Sequence, residues 1–417
     1  LGMTIIVTDH HEVPYKENEA GRRYILPPAD AVVDPRQEGC EYPFKGLCGA
    51  AVAYKLVEAL CEANGQDVAD LDYLLENVAI ATVADVMDLT EENRILVKQG
   101  LEMLKRTSNL GLRALIQCIG LEGKKIQAYH IGFILAPCLN ASGKLDTAKR
   151  ALALLRAKTE READMLAGDL KALNESRRDM TDRVVDEAMA KVEQTDIRGD
   201  KVLVIYLPDC HESLAGLVAG RVRENYYRPV FVLTDSEDGV KGSGRSIESY
   251  SMYEELTGCG DLLTKFGGHP MAAGLSLDKE NVEKFKRRLN DQCTLSEEEL
   301  TEKVVIDMEL PFAAITEHFI EELEYMEPFG KGNTKPVFAA RGVVMQHVKI
   351  IGKNKNVAKA TAIDAAGNRM EAICFHDAQE FAKQCERNNG KMSITFYPGI
   401  NEFRGERQIQ IVITHYR

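Results

Sequence analysis

The chain has 417 residues, 45% of them hydrophobic and 28% charged, which is too much chain for one compact core and enough apolar material for two or three. No apolar run reaches the roughly 18 residues of a spanning helix, and no basic, apolar leader precedes the first strand, so a membrane span and a signal peptide are excluded and a soluble, cytoplasmic protein without membrane contact is expected. The net charge of −13 counts against a nucleic-acid partner. Its distribution weakens that exclusion, because residues 331–417 hold 14 Lys+Arg against 7 Asp+Glu, a balance of +7 that leaves −20 for residues 1–330. The 10 cysteines contain no C-x-x-C pair, which points to reduced, buried thiols and away from a zinc knuckle or a disulfide framework.

In chain order, residues 1–156 alternate short apolar strands with amphipathic helices, the pattern of an α/β domain with a mainly parallel sheet. Met3–Val7 predicts a strand; Gly49–Asn64, Leu71–Val83 and Glu91–Thr107 predict helices, the last with Thr90 as its cap and Glu91 and Glu92 in its first turn. The chain opens at Leu1 and enters a β-branched stretch within four residues, so it is read as lacking the front of this domain. Residues 157–195 hold no proline and predict one long connecting helix, with a helix hairpin as the alternative. Residues 196–295 return to strand-helix alternation: Lys201–Tyr206 and Pro229–Leu233 as strands, Ser213–Glu224, Met252–Lys265 and Lys279–Asn290 as helices. After a Glu-rich linker, residues 303–417 give a helix near Ile315–Met326 and short β-rich runs (Val337–Val344, Arg369–Cys374, Met392–Tyr397, Gln408–Thr414) that fit a small barrel of the OB type.

Four local patterns carry chemistry. Thr8-Asp9-His10-His11 stands where the first strand ends, the side of an open parallel sheet that faces a ligand, and neutral imidazole beside a carboxylate is a good divalent-metal donor set. Ala84-Asp85-Val86-Met87-Asp88 places Asp85 at the end of an apolar helical run, where a buried carboxylate needs a partner; a helix-terminal aspartate is the plainer reading. Lys241-Gly242-Ser243-Gly244-Arg245 surrounds a hydroxyl and a guanidinium with glycines, an anion cradle or a tight hairpin turn. Phe266-Gly267-Gly268-His269 reads as a Gly-Gly turn presenting a histidine.

These segments, with Ile131–Lys144 (IGFILAPCLNASGK) and the extension to Phe266–Leu275 (FGGHPMAAGL), lie in the order and spacing that resemble the DHH/DHHA1 phosphoesterases. Glu327–Phe338 (EPFGKGNTKPVF) and Ile400–Ile411 (INEFRGERQIQI) narrow the resemblance to the RecJ exonucleases within that family. The resemblance implies a partial DHH-type parallel-sheet domain, the long connecting helix, a DHHA1 α/β domain and the OB-type barrel. It also implies a single-stranded-DNA-specific 5′→3′ exonuclease with two Mn²⁺ or Mg²⁺ ions, working in DNA repair and recombination with a helicase and a single-strand-binding protein. By the same resemblance His10 and Asp85 are metal ligands, Asp9 orients the histidines and His11 meets the scissile phosphate. Ser243, Arg245, Gly268 and His269 face the strand and its 5′ phosphate, joined by Lys144, which stands where relatives usually carry Arg; Cys138 is a second such departure.

The resemblance places the Asp-x-Asp pair and lone Asp that complete the family's metal site upstream of Leu1, and no Asp-x-Asp pair at the end of a strand stands in for them, so the chain by itself is expected to be inactive or nearly so. In the barrel, Phe338, Phe375, Phe396, Tyr397 and Phe403 interleave with Lys349, Lys353, Lys355, Lys359, Arg404 and Arg407, as base-stacking folds do; Phe338 and Phe396 are assigned to the core, Phe403 and Arg404 to DNA. Two rival readings are a DHH-family oligoribonuclease or cyclic-dinucleotide phosphodiesterase, whose members usually lack the long helix and the barrel, and a non-catalytic DNA-binding scaffold, which would have no reason to keep Asp9, His10, His11 and Asp85.

Overall fold

The computed structural model describes residues 2–18, 21–145, 148–352, 354–375, 377–403 and 405–417, with the backbone alone for residues 18, 141–145 and 403. Two compact units result. One takes in the chain up to Pro137 together with Leu154–Asp164 and Val305–Arg417; the other comprises Cys138–Ala153 and Met165–Val304.

In the first unit, β1 (Ile6–Thr8) pairs in parallel with β4 (Ala31–Val33), Ile6 opposite Ala31 and Thr8 opposite Val33. Between them β2 (Tyr15–Asn18) and β3 (Gly21–Tyr24) form an antiparallel hairpin. The expected strand Met3–Val7 is displaced toward its C-terminal end, because the parallel ladder begins only at Ala31 and the Ile5 carbonyl is taken by the Asp30 and Ala31 amides.

Helices α1 (Gly49–Ala63), α2 (Leu75–Ala84), α3 (Glu91–Leu104), α4 (Leu110–Cys118), α5 (Ala128–His130), α6 (Ala136–Leu145) and α7 (Lys149–Leu155) follow. The run expected as one helix from Leu71 is instead a 3₁₀ stretch, Val68–Leu74, capped by the Asp67 carboxylate, that feeds α2. α2 and α3 approach closely at Gly100, where a Cβ would sit 2.3 Å from the Leu75 carbonyl oxygen and 2.4 Å from the Ala79 Cβ. Thr90 does occupy the cap position of α3, but its hydroxyl makes no capping bond.

Helix α8 (Glu160–Gln194) is continuous over 35 residues, so the hairpin alternative is excluded. Its Ala188 and Val192 are fully buried, packed with Leu203, Ile205, Val230 and Val232 of the sheet in the second unit. No described helix is long and apolar enough to cross a membrane.

That sheet runs β5-β6-β7-β9-β8, built from β5 (Leu203–Tyr206), β6 (Val230–Ser236), β7 (Gly239–Arg245), β8 (Leu263–His269) and β9 (Ala272–Leu277). Helix α9 (Glu212–Tyr226) packs on the face carrying Val230 and Val232. Met252 of α10 (Met252–Thr257) and Phe285 of α11 (Val282–Gln292) pack with Phe231, Leu233 and Leu275 of the other face. The helix expected to run to Lys265 ends at Thr257, because residues 263–269 pair with β9.

The C-terminal region begins with β10 (Met308–Glu309) and α12 (Glu317–Glu324). A barrel follows in the order β11-β12-β13-β15-β14, closed by a second pairing of β11 with β14. Its strands are β11 (Phe338–Ile351), β12 (Val357–Ile363), β13 (Arg369–Cys374), β14 (Lys391–Phe403) and β15 (Glu406–Tyr416), with α13 (Ala378–Arg387) between β13 and β14. β12 and α13 were not foreseen. The inward residues of β12 are Ala358, Ala360 and Ala362, too small to register as an apolar strand.

Candidate metal centre and strand-binding surface

The parallel pairing of β1 and β4 sets the first corner, since the Asp9 amide donates to the Val33 carbonyl at 3.0 Å and the chain then turns away from the sheet. At that turn the Asp9 Oδ1 accepts from the His10 amide at 2.7 Å, the His11 amide at 3.3 Å and the His11 Nδ1 at 2.7 Å. The consequence is a fixed histidine pair, ring centroids 4.3 Å apart, with His11 donating from Nδ1 and its side chain exposed. The hydrogen bond to His11 holds the Asp9 carboxyl below its usual value and raises the His11 imidazole above its own. Asp9, His10 and His11 offer ligand atoms that all lie within 4.8 Å of one another.

Helices α1 and α2 bring the second part. The His10 ring lies against Gly49 at the start of α1, where a Cβ would stand 3.3 Å from its Cδ2. Asp85 is the C-terminal cap residue of α2, and its Oδ2 faces the His10 Nε2 at 3.6 Å. That separation is longer than a hydrogen bond yet short enough for both atoms to touch one ion. Asp85 is half exposed, so burial does not account for it, contrary to the expectation from sequence. The stronger argument is position: a carboxylate at the C-terminal end of a helix meets the negative end of the helix dipole, and a cation relieves both. The donor set of imidazole nitrogen and carboxylate oxygen suits Mn²⁺.

Sequence reasoning missed Asp34. It ends β4 beside the corner, is buried at 6% exposure, accepts from the Arg36 amide and adds to the upward pull on His11. The signal was available, an acidic residue closing the run Ala31-Val32-Val33 as Asp9 closes its own strand.

In the second unit the two glycine patterns correct their readings. Neither is a turn. Gly242–Arg245 lies within β7 and Phe266–His269 within β8, the hairpin bend falling at Pro270-Met271. Gly242 and Gly244 face the packed side, where a Cβ on Gly244 would come 2.4 Å from the Met252 Sδ and 2.7 Å from the Phe231 ring. They are therefore small for packing.

Register places Arg245, Ala272 and His269 side by side across β7, β9 and β8, and Ser243, Gly274 and Gly267 likewise two residues along. A guanidinium, a hydroxyl and an imidazole thus share one face with a floor of small residues between them. Ser243 also lines a cavity of about 500 Å³ with Ser213, Thr234, Ser276, Lys241 and Lys265. Burial and the nearby Arg223 lower the Arg245 guanidinium from its ordinary value. Gly268 holds φ +149°, and a Cβ there would lie 2.4 Å from the Ala272 carbonyl oxygen. The backbone there leaves no room for a side chain. Cys138 is buried, while Lys144 lies outside the described side chains.

In the barrel Phe338 and Phe396 are core, 3% and 0% exposed, as expected. Phe375 is exposed at 55%, and Tyr397 is partly buried with the Lys335 ammonium 4.8 Å over its ring. Lys359 pairs with Glu371 at 2.7 Å and Arg407 with Glu317 at 3.3 Å. The side chains of Phe403 and Arg404, and Lys353, lie outside what is described.

Residues 199–295 match the DHHA1 domain family and residues 306–415 the RecJ OB domain family. A single-stranded-DNA-specific exonuclease RecJ of Salmonella typhimurium is 33% identical over 99% of this chain and 73% of its own length. The chain belongs to the RecJ exonuclease family. The RecJ of Bacillus subtilis is 36% identical over 99% of the chain, which spans about half, 51%, of that protein. The crystal structure of Thermus thermophilus RecJ in complex with Mn²⁺ superposes on all of the chain with a TM-score of 0.80 at 27% identity, using 58% of its own residues. RecJ membership accounts for the long helix α8 and the closed barrel, which the smaller-enzyme alternative usually lacks.

Proposed function

We propose that the chain carries part of the metal centre and the strand-binding surfaces of a cytoplasmic, single-stranded-DNA-specific 5′→3′ exonuclease of DNA repair and recombination. The observation that carries this is the His10 Nε2 facing the Asp85 Oδ2 at 3.6 Å beside the Asp9-fixed His11. His10 and Asp85 are the residues that would hold Mn²⁺ or Mg²⁺. Two such ions, when bound, stabilise the attacking and leaving oxygens of a phosphodiester displacement.

The protein's own groups do the rest. Asp9 accepts from the His11 Nδ1, which fixes the ring direction and favours the imidazolium, and the Nε2–H of that imidazolium would donate to a phosphate oxygen. Arg245, Ser243 and His269 present charge and hydrogen bonds to the 5′ phosphate. Phe375 offers a stacking face, and Lys349, Lys355 and Arg404 neutralise backbone charge. A helicase and a single-strand-binding protein are the partners this role implies.

His10 and Asp85 supply fewer ligands than two ions require, so this chain alone is expected to turn over at least about 100-fold more slowly than a form with a completed site. The test is release of 5′-mononucleotides from 5′-phosphorylated single strands with Mn²⁺, set against dinucleotides. A completed form should prefer the long single strand and lose activity in His10→Ala and Asp85→Asn. Preference for dinucleotides, or indifference to both substitutions, overturns the assignment.

A further inference from the structure

The loop that carries Asp85 is held from outside its own region. After α2 the backbone turns sharply, with Val86 at φ 55°, and passes through Asp88 to Leu89, which is 2% exposed. Leu89 is covered by Gly330, where a Cβ would stand 2.7 Å from its Cδ1, and its amide donates to the Lys331 carbonyl at 2.7 Å. Lys331 Nζ also pairs with Asp88 at 3.1 Å, and a Cβ on Gly332 would come 3.0 Å from the Asp88 Cβ. From the other side Asn93, fully buried, donates to the Asp88 carbonyl and the Gly46 carbonyl.

The clamping segment is itself stiff. Gly330 and Asn333 exchange both backbone hydrogen bonds, and the Asn333 side chain donates to the Met326 and Pro328 carbonyls. It is anchored to the helical region: Glu327 accepts from Gln127 at 2.8 Å and pairs with Lys125 at 3.2 Å, while Arg94 donates to the Tyr325 carbonyl at 2.8 Å. The stretch leading into the barrel therefore grips Asp88 and Leu89, which follow the Asp85 turn.

We infer that the turn Phe329–Asn333 is a positioning element for the metal centre: Lys331 and Gly332, through Asp88 and Leu89, hold the Asp85 carboxylate toward His10. An exposed ion pair such as Lys331–Asp88 contributes little to stability, so its consequence is orientation of the loop. The inference rests on the metal reading of His10 and Asp85.

The test measures Mn²⁺ affinity of the whole chain by the electron paramagnetic resonance signal of free Mn²⁺, with thermal unfolding alongside. Lys331→Glu adds negative charge near a cation site, so electrostatics alone would tighten binding, whereas loss of positioning weakens it. The expected result is weakening by about 10-fold in Lys331→Glu and in Gly332→Ala, unchanged affinity in Lys331→Arg, and an unchanged melting temperature in Lys331→Glu. Equal or tighter binding in both weakened candidates overturns the inference while leaving the metal reading intact. Mn²⁺ binding that ignores Asp85→Asn overturns the metal reading, and this inference with it. Gly332→Ala decides the matter should Lys331→Glu fail to fold.

Discussion

The corner at Asp9–His11 and the strands at Lys241–Arg245 and Phe266–His269 both contain short motifs of small and polar residues, yet they are built in opposite ways. At the corner the chain leaves its sheet, side chains are at least partly exposed, and hydrogen bonds from one carboxylate fix the geometry. In the strands the backbone is paired with β9, and Gly242, Gly244 and Gly268 are there because a neighbour occupies the space of a side chain. A motif on a strand end thus advertises chemistry, whereas the same residues inside a ladder first report packing. Substitutions should separate the two: loss of fold in the strands, loss of ligand at the corner.

The largest effect is expected for Gly268→Ala. A methyl group 2.4 Å from the Ala272 carbonyl oxygen meets backbone that is locked into β9, and φ +149° disfavours any side chain. Roughly 3 kcal/mol of stability should be lost, as strain and overpacking combine. Urea unfolding of the chain measures it; a loss under about 1 kcal/mol would show that Gly268 is not held by packing and restore a ligand-binding reason for it.

How much of this was legible beforehand follows from the same contrast. Asp9, His10, His11 and Asp85 could be singled out because strand and helix ends are marked by local sequence, while their roles came from the family resemblance; those ends meet in space. The faces of β7 and β8 could not. Whether Gly242 and Gly244 lie in a turn or a strand depends on pairing with β9, some 30 residues on, and nothing within the motif encodes a distant partner. The same holds for β12, whose alanines face a core supplied by Phe338, Phe381 and Phe396 from elsewhere. Helix α8 was readable because periodicity is local, and the grip of Phe329–Asn333 on Leu89 was not, since it joins residues far apart in the chain.

An intermediate effect is expected at the corner itself. Asp9→Asn keeps the size of the side chain but removes the charge that holds the His11 Nδ1 proton, so the histidine pair loses its fixed orientation. Mn²⁺ affinity should fall by about 10- to 100-fold, the range for groups that orient ligands. The unfolding free energy should stay within about 1 kcal/mol, because the pair is exposed. A stability loss matching that of Gly268→Ala, with affinity unchanged, would erase the distinction between the two regions.

The smallest effect sharpens the comparison within the first region, because His130 is the counterpart of His11 with the opposite environment. Its Nδ1 accepts from the Gln127 amide at 3.0 Å, which requires the neutral ring with the proton on Nε2. Burial, helped by the nearby Lys124, pushes its pKa below the ordinary 6.5, where Asp9 pushes His11 above it. A histidine with a lowered folded-state value binds fewer protons folded than unfolded, so its contribution to stability is complete above 6.5 and is lost as pH falls through the folded value. One backbone hydrogen bond is at stake, on the order of 1 kcal/mol. The difference in unfolding free energy between the parent chain and His130→Gln should therefore be largest above pH 6.5 and shrink on acidification. If it grows instead as pH falls, the His130 ring is charged in the fold and the environment inferred for it is wrong.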